Sequence, residues 1–165
     1  MAEFLFITPE EITTTTILGG NVDVDKYLFT IANTQITVIE PLLGSELYDK
    51  VKSEAENDTL AGDYLTLYNE FVKPITKNQA LAEYIEVSSF MIANGGAFKH
   101  APENAELMDK DDVMLLSQKY SAIADMYVLR FNKWICKNPL TEYKTCQAEV
   151  DAQNIQLKGG WYFGL

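Results

Sequence analysis

The sequence predicts a mainly α-helical bundle of five or six helices, with extended arms at both ends. Three observations carry that expectation. Apolar residues recur at helical spacing in several separate stretches, helix-start signals precede them, and Gly or Pro punctuates the joins between them. With 47% apolar and 12% aromatic residues, a chain of 165 residues can bury one proper core, so a single domain over 1–165 is expected.

Thr8-Pro9-Glu10-Glu11 reads as a helix start. Thr8 can cap, Pro9 suits the first helical position, and Glu11 closes a capping box at the positive end of the dipole. The β-branched run Thr13 to Thr16 keeps this helix short, and Gly19-Gly20-Asn21 breaks the chain. A second start at Asp23 or Asp25 leads into Val24, Leu28, Ile31, Gln35, Val38, Ile39 and Leu42, a long helix that Pro41 should bend or end. After Gly44, Ser45 is expected to cap a helix carrying Leu47, Val51 and Ala55, and Glu56-Asn57-Asp58 reads as a surface turn.

Tyr64, Leu65, Tyr68, Phe71 and Val72 define a fourth amphipathic stretch. Pro74 can open a fifth helix, with Leu81, Tyr84, Ile85, Ser88, Met91 and Ile92 on its apolar face and Gly95-Gly96 as its stop. The segment from Ala97 to Leu107 reads as a loop with room for a short strand or hairpin at 97–107. The last helix starts at the acidic turn Asp109 to Asp112 and runs for about seven turns of roughly 3.6 residues to Ile135, where Asn138-Pro139 stops it.

Residues 1–7 and about 140–165 are candidate interaction arms. Phe4 and Phe6 in the first, with Trp161, Tyr162 and Phe163 in the second, are candidate protein-interface residues. Closure of the same domain's core by Trp161 and Phe163 is the competing reading.

The formal net charge is −11, from 24 acidic against 13 basic residues, which argues against holding a phosphate backbone. Such charge keeps a protein soluble, and on one face it would let DNA slide without sticking. Cys136 and Cys146 lack the paired spacing of a zinc or redox site, so no metal is expected. Neither a signal-peptide pattern nor a run of about eighteen apolar residues occurs, so cytoplasmic synthesis and no membrane span are expected.

Catalysis finds little material. The single histidine, His100, has no nucleophile motif near it, and Asp109, Asp111 and Asp112 suit a helix N-terminus better than a metal site. Gly19-Gly20 and Gly95-Gly96 lack the Lys and Ser/Thr of a phosphate loop. No catalytic, cofactor-binding or metal-ligating residue is therefore assigned, and a non-enzymatic role in binding other proteins is expected. Most of the nine tyrosines and eight phenylalanines lie at helical spacing, as core or interface residues rather than base-stacking platforms.

Two stretches, Phe6-Ile7-Thr8-Pro9-Glu10-Glu11-Ile12 and Ile39-Glu40-Pro41-Leu42-Leu43-Gly44-Ser45-Glu46-Leu47-Tyr48-Asp49-Lys50-Val51, carry a resemblance. With Ala80-Leu81-Ala82-Glu83-Tyr84-Ile85, the long last helix and the Gly-Gly-Trp-Tyr ending, the chain resembles the head-to-tail connector, or neck adaptor, proteins of tailed bacteriophages, most of all the ring proteins of crAss-like phages. The resemblance implies a virion protein, assembled in the host cytoplasm. It would form a homo-oligomeric ring, a dodecamer, below the portal protein, extend the DNA channel and dock the next neck or tail protein, with no cofactor. An unrelated cytoplasmic helical adaptor is the alternative, and a carboxylate-metal helical enzyme ranks last for want of Glu-x-x-His pairs.

Overall fold

The computed structural model describes residues 4–17, 25–88, 90–93, 96–99 and 110–144. Its architecture is mainly α-helical, as the sequence predicts, with one small hairpin. Helix α1 spans Pro9–Thr15, and the Thr8 hydroxyl accepts the Glu11 N–H at 3.2 Å as its N-cap. The threonine run finishes the helix by bonding backwards. Thr14, Thr15 and Thr16 donate their hydroxyls to the carbonyls of Glu10, Glu11 and Ile12 at 2.8, 2.6 and 2.7 Å. Such bonds to the carbonyl four residues back share acceptors with the helix's own N–H groups, which weakens a helix and suits its end.

The next helical rod is continuous: α2 (Asp25–Thr34), a π-helical segment π1 (Gln35–Ile39) and α3 (Glu40–Leu43). A second rod repeats the device, with α5 (Gly62–Leu67), π2 (Tyr68–Val72) and α6 (Lys73–Ser88). Neither proline breaks its rod: of the two outcomes expected at Pro41, a bend or an end, helix continues past it to Leu43, and Pro74 lies inside a rod rather than opening a helix. Each lies two residues past a π segment, where the Glu40 N–H reaches the Gln35 carbonyl and the Lys73 N–H reaches that of Tyr68. A proline lacks the N–H and crowds the carbonyl four residues back, and one wider turn moves that carbonyl aside.

Gly44 ends the first rod and begins α4 (Ser45–Glu56). Its φ of 76° lies in the region that favours glycine, so one residue turns the chain between two helices. This corrects the expected Ser45 cap: Ser45 is the first helical residue, and no side chain caps the helix. At the far end, Asn57 and Asp58 make the expected turn, with Asp58 at φ 55°.

The fifth helix also ends earlier than its periodicity suggests. It stops at Ser88, and β1 (Phe90–Ala93) pairs antiparallel with β2 (Gly96–Lys99), Phe90 opposite Lys99 and Ala93 opposite Gly96. The hairpin thus begins seven residues before the 97–107 window, and Met91 and Ile92, expected on a helix face, are strand residues. Short apolar runs fit both periods. Gly95, taken above with Gly96 as a helix stop, also follows Asn94 in the dipeptide that most favours a two-residue hairpin connection. The remainder of the 97–107 window lies outside the described residues.

Helix α7 (Lys110–Ile135) matches its predicted span. It packs along α6, and α2 packs on α6 as well, so α6 is the element the bundle shares. The main core gathers Phe6, Leu43, Leu47, Val51, Leu67, Phe71, Ile75 and Phe131, and a smaller cluster joins Ile7, Ile12, Tyr27, Ile31 and Ala80. Edge-on aromatic contacts lace the main core together, with Phe71 and Tyr143 at 6.0 and 5.6 Å from Phe131.

Candidate protein-docking surfaces

Of the expected 1–7 arm, the described residues 4–7 are part of the domain. Phe6 is 1% exposed and sits edge-on to Tyr48 and Tyr68, at ring distances of 5.5 and 5.9 Å, while Phe4 packs half-buried against Phe6. Its backbone is clamped by one side chain. Buried Gln35 accepts the Phe6 N–H on Oε1 at 2.6 Å and donates from Nε2 to the Phe4 carbonyl at 3.1 Å, as a neighbouring β-strand would. Tyr68 donates its hydroxyl to the Phe6 carbonyl at 2.8 Å. Burial pushes the Tyr68 phenol up to about 12, with the nearby Glu11 carboxylate adding to the shift. Phe6 is thereby corrected from interface candidate to core residue: an extended segment can bury an aromatic only if its N–H and C=O groups are paired, and Gln35 and Tyr68 pair them.

Trp161, Tyr162 and Phe163 lie outside the described residues, as do His100, Asp109 and Cys146. The beginning of the C-terminal segment, however, is anchored. Leu140 is buried, Tyr143 stacks edge-on against Phe131, and Glu142 accepts from Lys50 Nζ at 2.8 Å and from the Tyr64 hydroxyl at 2.6 Å. Those two bonds, the Lys50 one foremost, hold the Glu142 carboxyl down to about 2, and Glu142 in turn raises Lys50 above the usual lysine range. Lys144 adds an exposed ion pair with Glu46.

What the bundle presents outward is apolar in two places. On α7, Leu115, Met126 and Leu129 are 67%, 60% and 56% exposed. With Lys119, Ala122 and Lys133 they follow a 4-3-4-3-4 spacing, which puts them on one side of the helix. A groove of about 640 Å³, lined by Asp112, Leu115, Leu116, Gln118 and Lys119, runs along the first half of that helix. On the first rod, Phe29 and Ile36 are each 52% exposed, with Asn33 between them and Glu40 one turn on. Asn33 donates to Glu83 of α6 at 2.7 Å, which sets a second carboxylate beside this stripe. Apolar side chains exposed along one side of a helix are candidates for a contact surface.

The sequence reading missed both stripes. It followed the face of α7 that includes Leu116, Tyr120, Ala124, Val128 and Phe131, which is the face turned to the core. A helix apolar on two sides was the available signal.

Among the described residues no group of three or more His, Cys, Asp or Glu side chains is placed to hold a metal ion, and no helix is long and apolar enough to cross a membrane. Cys136 is exposed and makes no disulfide.

Residues 39–151 match the model of a protein family of unknown function, DUF6712, over more than half of the chain. The chain belongs to the DUF6712 family. The DUF6712 match begins at Ile39, the last residue of π1, so it takes in α3 to α7, the Gly44 junction, the hairpin and the anchored Glu142. The Gln35 clamp and the Phe29 and Ile36 stripe lie before it. No curated protein and no solved structure matches the chain.

Proposed function

We propose that this DUF6712 protein is a structural virion component, a head-to-tail connector of a tailed bacteriophage, which forms a ring below the portal and offers a platform to the next neck or tail protein. The reading is carried by one observation: the ordered pattern from Phe6-Ile7-Thr8-Pro9 through Glu40-Pro41-Leu42-Leu43-Gly44 to the long α7 resembles that of neck adaptors over most of the chain. Two physical features agree with it. A ring subunit needs contact surfaces on a rigid body, and exposed apolar stripes lie on α7 and on the first rod of a packed bundle. A net charge of −11 gives passing DNA few cationic holds.

Light scattering on the purified protein, alone and mixed with a phage portal protein, tests the reading. A ring-sized mass or a stable complex with the portal is expected. A protein that does neither is no neck component, and a helical adaptor serving some other partner becomes the better account.

A further inference from the structure

Two apolar stripes on one subunit raise the question of what covers each. They differ in their charged borders. The α7 stripe of Leu115, Met126 and Leu129 carries Asp111 and Asp112 in the turn before Leu115, and Lys119 and Lys133 further along, neither lysine making an ion pair among the described residues. The stripe of Phe29 and Ile36 is bordered by Glu40 and Glu83. Both have side chains at alternating three- and four-residue steps, the spacing at which one helix seats its ridges in another's grooves. The steps from Leu129 to Lys133 and from Ile36 to Glu40 are equal, so an apolar contact and a lysine–carboxylate contact can form together. Within one subunit α6 separates the two elements, with α2 and α7 each packed on it.

We propose that these stripes are the two halves of one heterologous contact: the α7 face of one copy of this chain docks on the Phe29 and Ile36 face of the next. A contact between unlike faces propagates from copy to copy and closes into a ring when the rotation allows, whereas like faces meeting would stop at a dimer. Acid meeting base across the seam sets which face meets which and disfavours like-face pairing. The proposal deepens the connector reading and rests on its homo-oligomer, for which it names the subunit contact.

Sedimentation velocity on the full chain tests it with two double variants. Leu115→Glu with Leu129→Glu spoils one half, and Phe29→Glu with Ile36→Glu spoils the other. The wild type is expected to sediment as an oligomer and each variant as a monomer with unchanged helical circular dichroism. Mixed in equal amounts, the two variants still hold one intact α7 face and one intact Phe29 face, and they are expected to give a 1:1 dimer and nothing larger. Variants that keep the wild-type mass, or a mixture that stays monomeric, overturn the contact.

If either double variant loses its fold, the exposed charges decide. Glu40→Lys and Lys133→Glu are each expected to reduce oligomer, and together to restore it; failure of the pair to restore what the singles lose overturns the contact. A monomeric wild type also overturns it, and the stripes then belong to residues 145–165 or to another protein. Portal binding separates the two proposals: a monomer that binds portal ends this contact and spares the connector reading, while an oligomer smaller than a ring that ignores portal does the reverse.

Discussion

Gln35 accepts the Phe6 N–H at 2.6 Å from inside a π turn, and with its other amide atom it holds the Phe4 carbonyl. One side chain of a helix thereby supplies the pairing an extended segment needs before Phe6 can enter the core. Gln35→Leu keeps the volume and removes both bonds, leaving the buried Phe6 N–H without a partner. A loss of about 2 to 3 kcal/mol is expected in urea unfolding, within the usual penalty for orphaned buried groups. A loss below about 0.5 kcal/mol would show that the segment is held by its aromatics alone.

Two tyrosines beside Phe6 should answer oppositely to removal of their hydroxyls. Tyr68 donates to the Phe6 carbonyl, so Tyr68→Phe is expected to cost about 1 kcal/mol. The buried Tyr48 hydroxyl has no partner among the described residues, so Tyr48→Phe is expected to be neutral or stabilising. Parallel denaturation curves compare them, and equal losses would contradict the assignment.

Phe131 joins the middle of the core to the C-terminal segment through Phe71 and Tyr143. Phe131→Ala opens a cavity at a fully buried site, and about 3 to 5 kcal/mol of stability is expected to go. The thermal midpoint reports it, and a fall of only a few degrees would mean that the core collapses into the gap.

Acid should loosen the same end of the molecule. The Glu142 carboxyl is held at about 2, below its ordinary value, so its contribution is fully present above the usual carboxylate range near about 4.3. It is lost as pH falls from there toward 2, because protonation removes the charge that Lys50 and Tyr64 bind. Melting temperatures across that window should fall more steeply for the wild type than for Glu142→Gln; identical slopes would assign the acid response to other carboxylates.

The described core already extends from Phe4 to Tyr143. Truncation after Lys158, which removes Trp161, Tyr162 and Phe163, is therefore expected to keep most of the helical circular dichroism while weakening assembly. Loss of the folded signal would place Trp161 in the subunit's own core.

Local chemistry was legible from the residues. Thr8-Pro9-Glu10-Glu11 started a helix because its cap and dipole partners lie within one turn, and α7 spans what its periodicity promised. Gly44 separated two helices as expected, although the cap fell to glycine itself and not to Ser45. The hairpin was hinted at by Asn94-Gly95, yet a run such as Phe90 to Ala93 satisfies either period and needs a paired strand to settle it.

By itself, then, the sequence determined a mainly helical architecture, most helix starts and an acidic character, because propensity, capping and charge act within a few residues. Only the tertiary structure decided that helix continues through Pro41 and Pro74, that Gln35 faces backbone, that Phe6 is core, and that Leu115, Met126 and Leu129 stay outside. Each depends on which other element lies opposite. A π turn persists when packing on both sides holds its helix in register, and an apolar side chain is core or contact surface according to whether a neighbour covers it.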